Sequence, residues 1–310
     1  MSGERKRVLV LMGGPDAERE VSITSGRAVA QALRECGRFD VIEEVIDRPS
    51  LAELDAMPGD VIFPVLHGQW GEGGPLQELL EAMGRPYVGC GPEAASTAMD
   101  KMKTKVILSR AGVDSPLAIE IGPDDPCRIE PPLVLKPVDD GSSVDIRICR
   151  SVEEIEAGRA ALHPRRARLM AERYVPGREL TVGVVNGVVL PIIEIIPAVA
   201  FYDYDAKYVS EETKYVLDPD LKPAVSRQCR EWTLLAWEHL GCRDVARADF
   251  RLDPDDRLWF LEINTMPGFT SHSLVPKAAA HVGIAMPPLC ASLVEAALAR
   301  AEQDVEAEAA

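Results

Sequence analysis

The chain lacks the basic excess of a protein that handles nucleic acid or an anionic membrane. Its 34 Lys and Arg stand against 50 Asp and Glu, a net charge of -16, which repels a polyanion. No nucleic acid and no membrane partner is therefore expected, and any phosphate must be bound locally. Paired cysteines are missing as well. Seven Cys are scattered without a CxxC pair or a His at zinc spacing, which excludes a disulfide framework and a zinc ribbon and points to reduced thiols in a cytoplasmic protein. Long apolar runs are also absent. The opening "MSGERKRVLVLMGG" ends its apolar stretch at two glycines, and nothing later approaches about 18 consecutive apolar residues, so no targeting or spanning segment is expected. Neither a P-loop nor a dinucleotide fingerprint occurs, and there is no internal repeat or low-complexity linker.

What the chain has is alternation. Its 310 residues suffice for about two ordinary domains or three small ones. "RVLVLM" at 7–12 reads as a buried parallel strand and "SGRAVAQALRE" from Ser25 as the helix after it, with Ser22, Thr24 or Ser25 as N-cap. "DVIFPVLHG" at 60–68 runs through a Gly-rich turn into "PLQELLEAM", where Pro75 suits a first helical turn. This predicts an open α/β sheet over the first 90 residues or so. A helix is predicted over "TAMDKMKTKVILSRAG" from Thr97, then strands at 132–138 and 168–175 with a helix between them. Asn186-Gly187 between two β-branched runs marks a hairpin. After a polar loop around 200–218 come a helix, a second hairpin at 245–264 and a last helix fading into an acidic tail. The expected units are 1–94, 95–175 and 176–310.

The chemistry concentrates in the second hairpin. With "DPDD" at 253–256 as its turn, Leu252 pairs with Arg257, Arg247 faces Glu262 and Asp249 faces Phe260. Alternation by twos then puts Arg247, Asp249, Glu262 and Asn264 on one face. Two carboxylates and a carboxamide form an all-oxygen set of the kind that holds Mg²⁺ with waters and substrate phosphates. Lys136 closes a strand, and the Gly141, Ser142 and Ser143 that follow can turn amides and hydroxyls toward an anion. Glu18 lies past the first strand, where open α/β sheets bind ligands, and His67 follows another strand.

These pieces resemble one family, D-alanine:D-alanine ligase of the ATP-grasp fold. The motifs that carry the likeness are "GGPDAEREVSITSG", "HGQWGEGGPLQ", "AMDKMKTK", "LVLKPVDDGSSV", "AERYVPGRELTV", "FYDYDAKYVSEET", "ARADFRL" and "LEINTMPGFTSHSLVPKAA". They stand in the family's order from about Val8 to Leu293. The resemblance implies a Rossmann-like first unit followed by a two-part ATP-grasp fold, α+β in character, with ATP between two antiparallel sheets. It implies that Lys101 and Lys136, with Ser142, Ser143 and Lys207, hold the phosphates, and that Glu172 and Glu179 lie on the adenine and ribose sides. Asp249, Glu262 and Asn264 fall on the ligands of two Mg²⁺ ions, with Mn²⁺ as a substitute. Glu18, near Ser142, Tyr208 and His67, matches the acid that binds the first D-alanine's ammonium. Arg247 and the Gly268 amide match the donors around the reacting carboxylate, and Ser273 and Leu274 match the site of the second D-alanine. A homodimer is implied on the same ground.

The resemblance also exposes departures. The family usually has an acid where Gly73 stands and a Gly where Asp145 stands, while Asp139 and Asp140 add negative charge beside the phosphate loop. Coulomb repulsion predicts weaker nucleotide binding unless these acids point away or meet a metal or a Lys. Activity is expected to survive, since every matched catalytic position is filled. The alternatives are a ligase that takes D-serine or D-lactate second, against which Tyr208 speaks for lactate, and a nucleotide-binding paralogue without turnover.

Overall fold

A computed structural model describes residues 5–141, 145–197 and 213–308. Strand β1 (Arg7–Gly13) lies between β2 (Asp40–Ile46) and β3 (Val61–Pro64) in a parallel three-stranded sheet. Helices α1 (Arg19–Cys36) and α2 (Leu51–Ala56) make the crossovers, and α3 (Gly68–Glu72) and α4 (Pro75–Met83) follow β3. Val8 through Met12 are wholly buried, as a continuous apolar run in a sheet covered on both faces requires.

The start of α1 corrects the sequence reading. The helix begins at Arg19, with Glu18 at its N-cap position, so Ser22 and Ser25 lie inside it and are fully buried. Ser22 Oγ accepts from the Gly13 amide at 2.8 Å and donates to the Val65 carbonyl at 2.5 Å. Ser25 Oγ accepts from the Phe269 amide at 3.2 Å. These hydroxyls bind other segments, although the same short side chain is the usual mark of a helix start.

Helix α5 (Pro92–Met99) and α6 (Lys101–Arg110) replace the single helix expected from Thr97. The break is at Asp100, which is extended and whose carboxylate accepts from the Lys103 amide at 2.9 Å, capping α6. An antiparallel sheet of order β4-β7-β5-β6 follows, built from β4 (Ala118–Ile121), β5 (Leu133–Pro137), β6 (Arg147–Cys149) and β7 (Leu169–Arg173), with α7 (Val152–Leu162) between the last two.

A second antiparallel sheet has the order β10-β9-β8-β11-β12. Its strands are β8 (Arg178–Val185), β9 (Val188–Ile196), β10 (Lys214–Leu217), β11 (Val245–Leu252) and β12 (Leu258–Asn264). Asn186 and Gly187 both have positive φ, 49° and 78°, the conformation that Asn-Gly favours in a two-residue hairpin turn. Helix α8 (Pro223–His239) precedes β11, and α9 (Leu274–His281) and α10 (Met286–Glu308) close the chain. Among the described residues no single helix is long and apolar enough to cross a membrane; α9 and Met286–Gln303 meet that measure only as a pair bent by 108°, and Val275, Leu289, Leu293 and Val294 of this pair are core residues.

One core joins Val10, Leu33 and Phe63 to Val185, Ile193, Phe269 and Leu293. Phe63 meets Phe269 edge to face at 5.6 Å, worth about 1 kcal/mol beyond its burial. That packing sets the carboxyl edge of the parallel sheet against the segment after β12. Asp244 fastens the same two regions: its carboxylate takes Arg300 Nη1 at 2.7 Å and Nη2 at 3.0 Å, and the Gly89 amide at 2.7 Å.

Candidate active site

The hairpin β11–β12 reaches the expected face by a different route. Its loop is one residue longer than expected, so Leu252 pairs with Leu258 and Phe250 with Phe260. In that register Asp249 would oppose Leu261, and Glu262 would point to the other face. A bulge between Asp249 and Phe250 adds a second shift, giving Asp249 opposite Glu262 and Arg247 opposite Asn264. Two one-residue changes restore parity, so the four side chains share a face although each expected pairing is displaced. The loop is longer because Asp253 caps it: Oδ1 accepts from the amides of Asp255 and Arg257, at 3.0 and 2.9 Å, and Oδ2 from Trp259 Nε1 at 2.9 Å.

This face forms part of the wall of a cavity of about 690 Å³. Glu18, His67, Lys101, Gly141, Glu179, Arg247, Asp249, Glu262, Asn264, Gly268, Ser273 and Leu274 all line it, while Lys136 and Glu172 do not. Ser142, Ser143, Lys207 and Tyr208 lie outside the described residues. Arg247 grips Asp249 with two nitrogens, Nε to Oδ1 at 2.9 Å and Nη2 to Oδ2 at 2.8 Å, and Thr181 Oγ1 donates to Oδ1 at 2.5 Å. Lys101 Nζ stands 3.4 Å from Glu262 Oε2 and donates to the Asp140 carbonyl. As the first residue of α6 it puts positive charge on the positive end of a helix dipole, an arrangement with no structural benefit. Asn264 Oδ1 accepts from the Met266 amide at 2.9 Å.

Two further groups were not singled out in the sequence. Lys105, one turn after Lys101, is buried and pairs with Glu172 Oε1 at 2.6 Å, while Lys136 donates to Oε2 at 2.8 Å. Burial opposes the charge on Glu172, but the two ammonium groups outweigh it and hold its pKa below the ordinary value. For Lys136 burial is likewise outweighed, by the Glu172 and Glu262 charges, and the pKa is raised; for Lys105 burial prevails and lowers it. The spacing of Lys101 and Lys105 puts both on one face of α6, the signal that could have marked Lys105.

Glu72, in "HGQWGEGG", is the second. It is 4 % exposed and accepts from the Gly68 amide at 3.2 Å, and its Oε2 has no hydrogen-bond partner. Burial and then the charge of Glu18 push its pKa well above the carboxylate range. Burial thus favours the protonated form of this carboxyl. Burial also lowers the pKa of His67 against the pull of Glu18, leaving a neutral imidazole. Gly141 sits close by: a Cβ on it would lie 3.5 Å from Glu18 Oε2 and 4.0 Å from Glu72 Oε1.

After β12 the chain turns at Gly268, where an added Cβ would lie 2.9 Å from Ser273 Oγ. Ser273 Oγ accepts from the Thr270 amide at 2.9 Å and precedes α9, on which Leu274 is mostly buried. Glu179 accepts from Arg251 Nη1 at 3.2 Å. The departures have physical counterparts. At Gly73 a Cβ would come within 2.4 Å of the Gln69 carbonyl oxygen, so this backbone path excludes an acid. The acids at 140 and 145 both meet arginines that follow α7.

Among the described residues there is no group of three or more His, Cys, Asp or Glu side chains arranged to hold a metal. Two carboxylates and a carboxamide on one cavity wall nonetheless fit Mg²⁺, which takes few protein oxygens and keeps waters and phosphates. Comparison with known proteins places the chain in a family. A model described as D-ala D-ala ligase C-terminus matches residues 127–295, and one described as D-ala D-ala ligase N-terminus matches residues 43–90. A D-alanine--D-alanine ligase of Acidiphilium cryptum is 44 % identical over 305 residues, covering 95 % of this chain and 99 % of that protein. One from Bordetella petrii is 42 % identical over 301 residues, with 94 % and 92 % covered. The crystal structure of the Bacillus anthracis D-alanine--D-alanine ligase complexed with ATP superposes with a TM-score of 0.85 at 29 % identity, covering 97 % of this chain and 100 % of that one. The VanG D-Ala:D-Ser ligase of Enterococcus faecalis gives 0.82 at 25 %, with 95 % and 100 % covered. The chain belongs to the D-alanine--D-alanine ligase family and has its ATP-grasp fold.

Proposed function

We propose that the chain is an ATP-dependent ligase that joins two D-alanines through a D-alanyl phosphate to make D-alanyl-D-alanine for peptidoglycan. The observation that carries this reading is a single cavity in which an oxygen-donor face, Asp249, Glu262 and Asn264, meets Lys101 on one side and Glu18 on another. A carboxylate is a poor electrophile, so it is first activated. The first D-alanine's carboxylate oxygen attacks the γ-phosphorus of ATP, ADP leaves, and an acyl phosphate forms. The free amine of the second D-alanine then attacks the acyl carbon and gives up one proton to a phosphate oxygen, the carbon–oxygen bond to phosphate breaks, and inorganic phosphate leaves with its electron pair.

Glu18 binds the ammonium of the first D-alanine from the N-terminus of α1, and burial favours the uncharged forms of Glu72 and His67 beside it. Lys101 balances the transferring phosphoryl, because phosphoryl transfer is catalysed mainly by positioning and electrostatics. Asp249, Glu262 and Asn264 would hold two Mg²⁺ ions, or Mn²⁺, which supply charge neutralisation across the phosphates when bound. Arg247 and the Gly268 amide face the oxyanion of the second step, and Ser273 and Leu274 take the carboxylate and methyl of the second D-alanine. Lys136 and Glu172 act from behind the cavity, with Glu179 on its wall. Ser142, Ser143, Lys207 and Tyr208 complete the site by family likeness. A cytoplasmic homodimer fits the same reading.

The test is coupled ADP release from ATP, Mg²⁺ and D-alanine. Turnover is expected, falling by at least about a hundredfold in Glu262→Gln, in line with the loss of one electrostatic contact to a transition state. No ADP above background from the wild-type chain overturns the ligase reading. Faster consumption of D-serine or D-lactate as second substrate overturns the choice of D-alanine.

A further inference from the structure

Residues 140 and 145 bracket the segment where this chain is more acidic than the family pattern, and both acids end on one guanidinium. Arg166 Nη1 pairs with Asp140 Oδ2 at 2.6 Å, and Arg166 Nε with Asp145 Oδ2 at 2.7 Å. Arg165 adds a second contact to Asp145, Nη2 to Oδ1 at 2.5 Å. The Arg166 and Asp140 side chains are 28 % and 20 % exposed, so the pair is screened only in part. Asp145 is in the left-handed region, φ 61°, which an aspartate tolerates better than most residues. The Asp140 backbone carbonyl accepts from Lys101 Nζ, and the next residue, Gly141, lies on the cavity wall. A chain of contacts thus runs from Arg166 through Asp140 to Lys101 and on to Glu262.

We propose that Arg166 is a positioning residue for ATP: it neutralises Asp140 and Asp145 beside the phosphate site and holds the two ends of the segment so that the Asp140 carbonyl keeps Lys101 Nζ facing the cavity. Resting on the reading that this cavity takes ATP beside Lys101, the inference explains how acids at these positions are compatible with a polyanionic substrate. Burial pushes the Asp140 pKa up, countered first by the Gly141 amide and then by the charges of Arg166 and Lys101. At Asp145 the hydrogen bonds from Arg165 and Arg166 outweigh burial and lower the pKa.

The proposal predicts a pattern that a merely structural role would not give. In Arg166→Met the Asp140 carboxylate loses its arginine beside the triphosphate while Asp145 keeps Arg165, and KM for ATP should rise about tenfold with kcat changed much less, as expected for like charges brought together. Arg166→Lys, which keeps the charge but not the fork that spans both acids, should fall between wild type and Arg166→Met. The double variant Asp140→Asn with Arg166→Met should recover most of the loss, because the acid that needed Arg166 is gone. These constants are read with ADP release at saturating D-alanine, and thermal melts of each variant establish that it is folded. A KM for ATP within twofold of wild type in Arg166→Met overturns the proposal. So does a double variant as impaired as the single one, or a lysine variant as impaired as the methionine one. Failure of the ligase reading is distinguishable, since the wild-type chain itself would then release no ADP.

Discussion

Replacing Glu172 by glutamine should cost the protein several kcal/mol, and the structure bounds the figure. The carboxylate is 2 % exposed and holds Lys136 at 2.8 Å and Lys105 at 2.6 Å. A glutamine of the same size offers one carbonyl acceptor and no charge, so one buried ammonium loses its partner. Breaking a buried pair from one side costs about 3 to 5 kcal/mol. The ceiling comes from the proton: a stranded Lys105 can shed it. Its ordinary pKa is 10.5, which makes neutralisation at pH 7 cost about 5 kcal/mol. The expected loss therefore lies near 3 to 5 kcal/mol, a drop of at least about 5 °C in the unfolding midpoint.

The pH dependence has a definite sign. The folded pKa of Glu172 is lowered from an ordinary 4.5, so its contribution is full above that value and is lost as pH falls through the folded one. The difference between wild type and Glu172→Gln should thus be steady near neutrality and shrink in acid. Lys136, with a pKa raised above 10.5, contributes below that value and loses its share as pH rises through the folded one. Calorimetric or fluorescence melts from neutrality to well below pH 4.5 for Glu172, and to above pH 10.5 for Lys136, test this. Removing the stranded charge as well, in Glu172→Gln with Lys105→Met, should restore a large part of the loss. A single variant within about 1 kcal/mol of wild type, or a double variant less stable than the single one, would refute the reasoning.

Three other substitutions probe the frame around the site. Asp244→Ala strips the Gly89 amide of its acceptor and Arg300 of a two-point partner; chemical unfolding should show a loss of about 3 kcal/mol, and full stability would mean this tie is idle. Gly73→Asp restores the family's acid but places a Cβ 2.4 Å from the Gln69 carbonyl oxygen; the melting midpoint should fall, and an unchanged midpoint would show that the backbone at 69–73 yields freely. Ser22→Ala leaves the Gly13 amide and the Val65 carbonyl without their shared hydroxyl; a loss of about 2 kcal/mol is expected by denaturation, and a neutral outcome would mean water replaces it.

How far the site could be read in the sequence depends on the range of the interaction that fixes each residue. Asn186-Gly187 was legible because both turn residues need positive φ and the two strands are adjacent in sequence. The face shared by Arg247, Asp249, Glu262 and Asn264 was legible for a less secure reason. Period-two alternation gave the right face only because a longer Asp253 loop and a bulge beside Asp249 cancel in parity. Sequence alternation counts residues and cannot register an extra one on each side. Ser22 and Ser25 were misread as caps because their partners, Val65 and Phe269, lie 43 and 244 residues away. The same distance hid the answer to the acids at 140 and 145, whose arginines follow a helix of another segment. Lys105 lay within reach, since a lysine one turn beyond another on a helix face is a local pattern. What no local pattern could show is that both lysines face inward, for Lys101 meets Glu262 and Lys105 meets Glu172, on strands distant in sequence. Local chemistry therefore identifies which residues can act, and the long-range ion pairs decide which of them keep their charge.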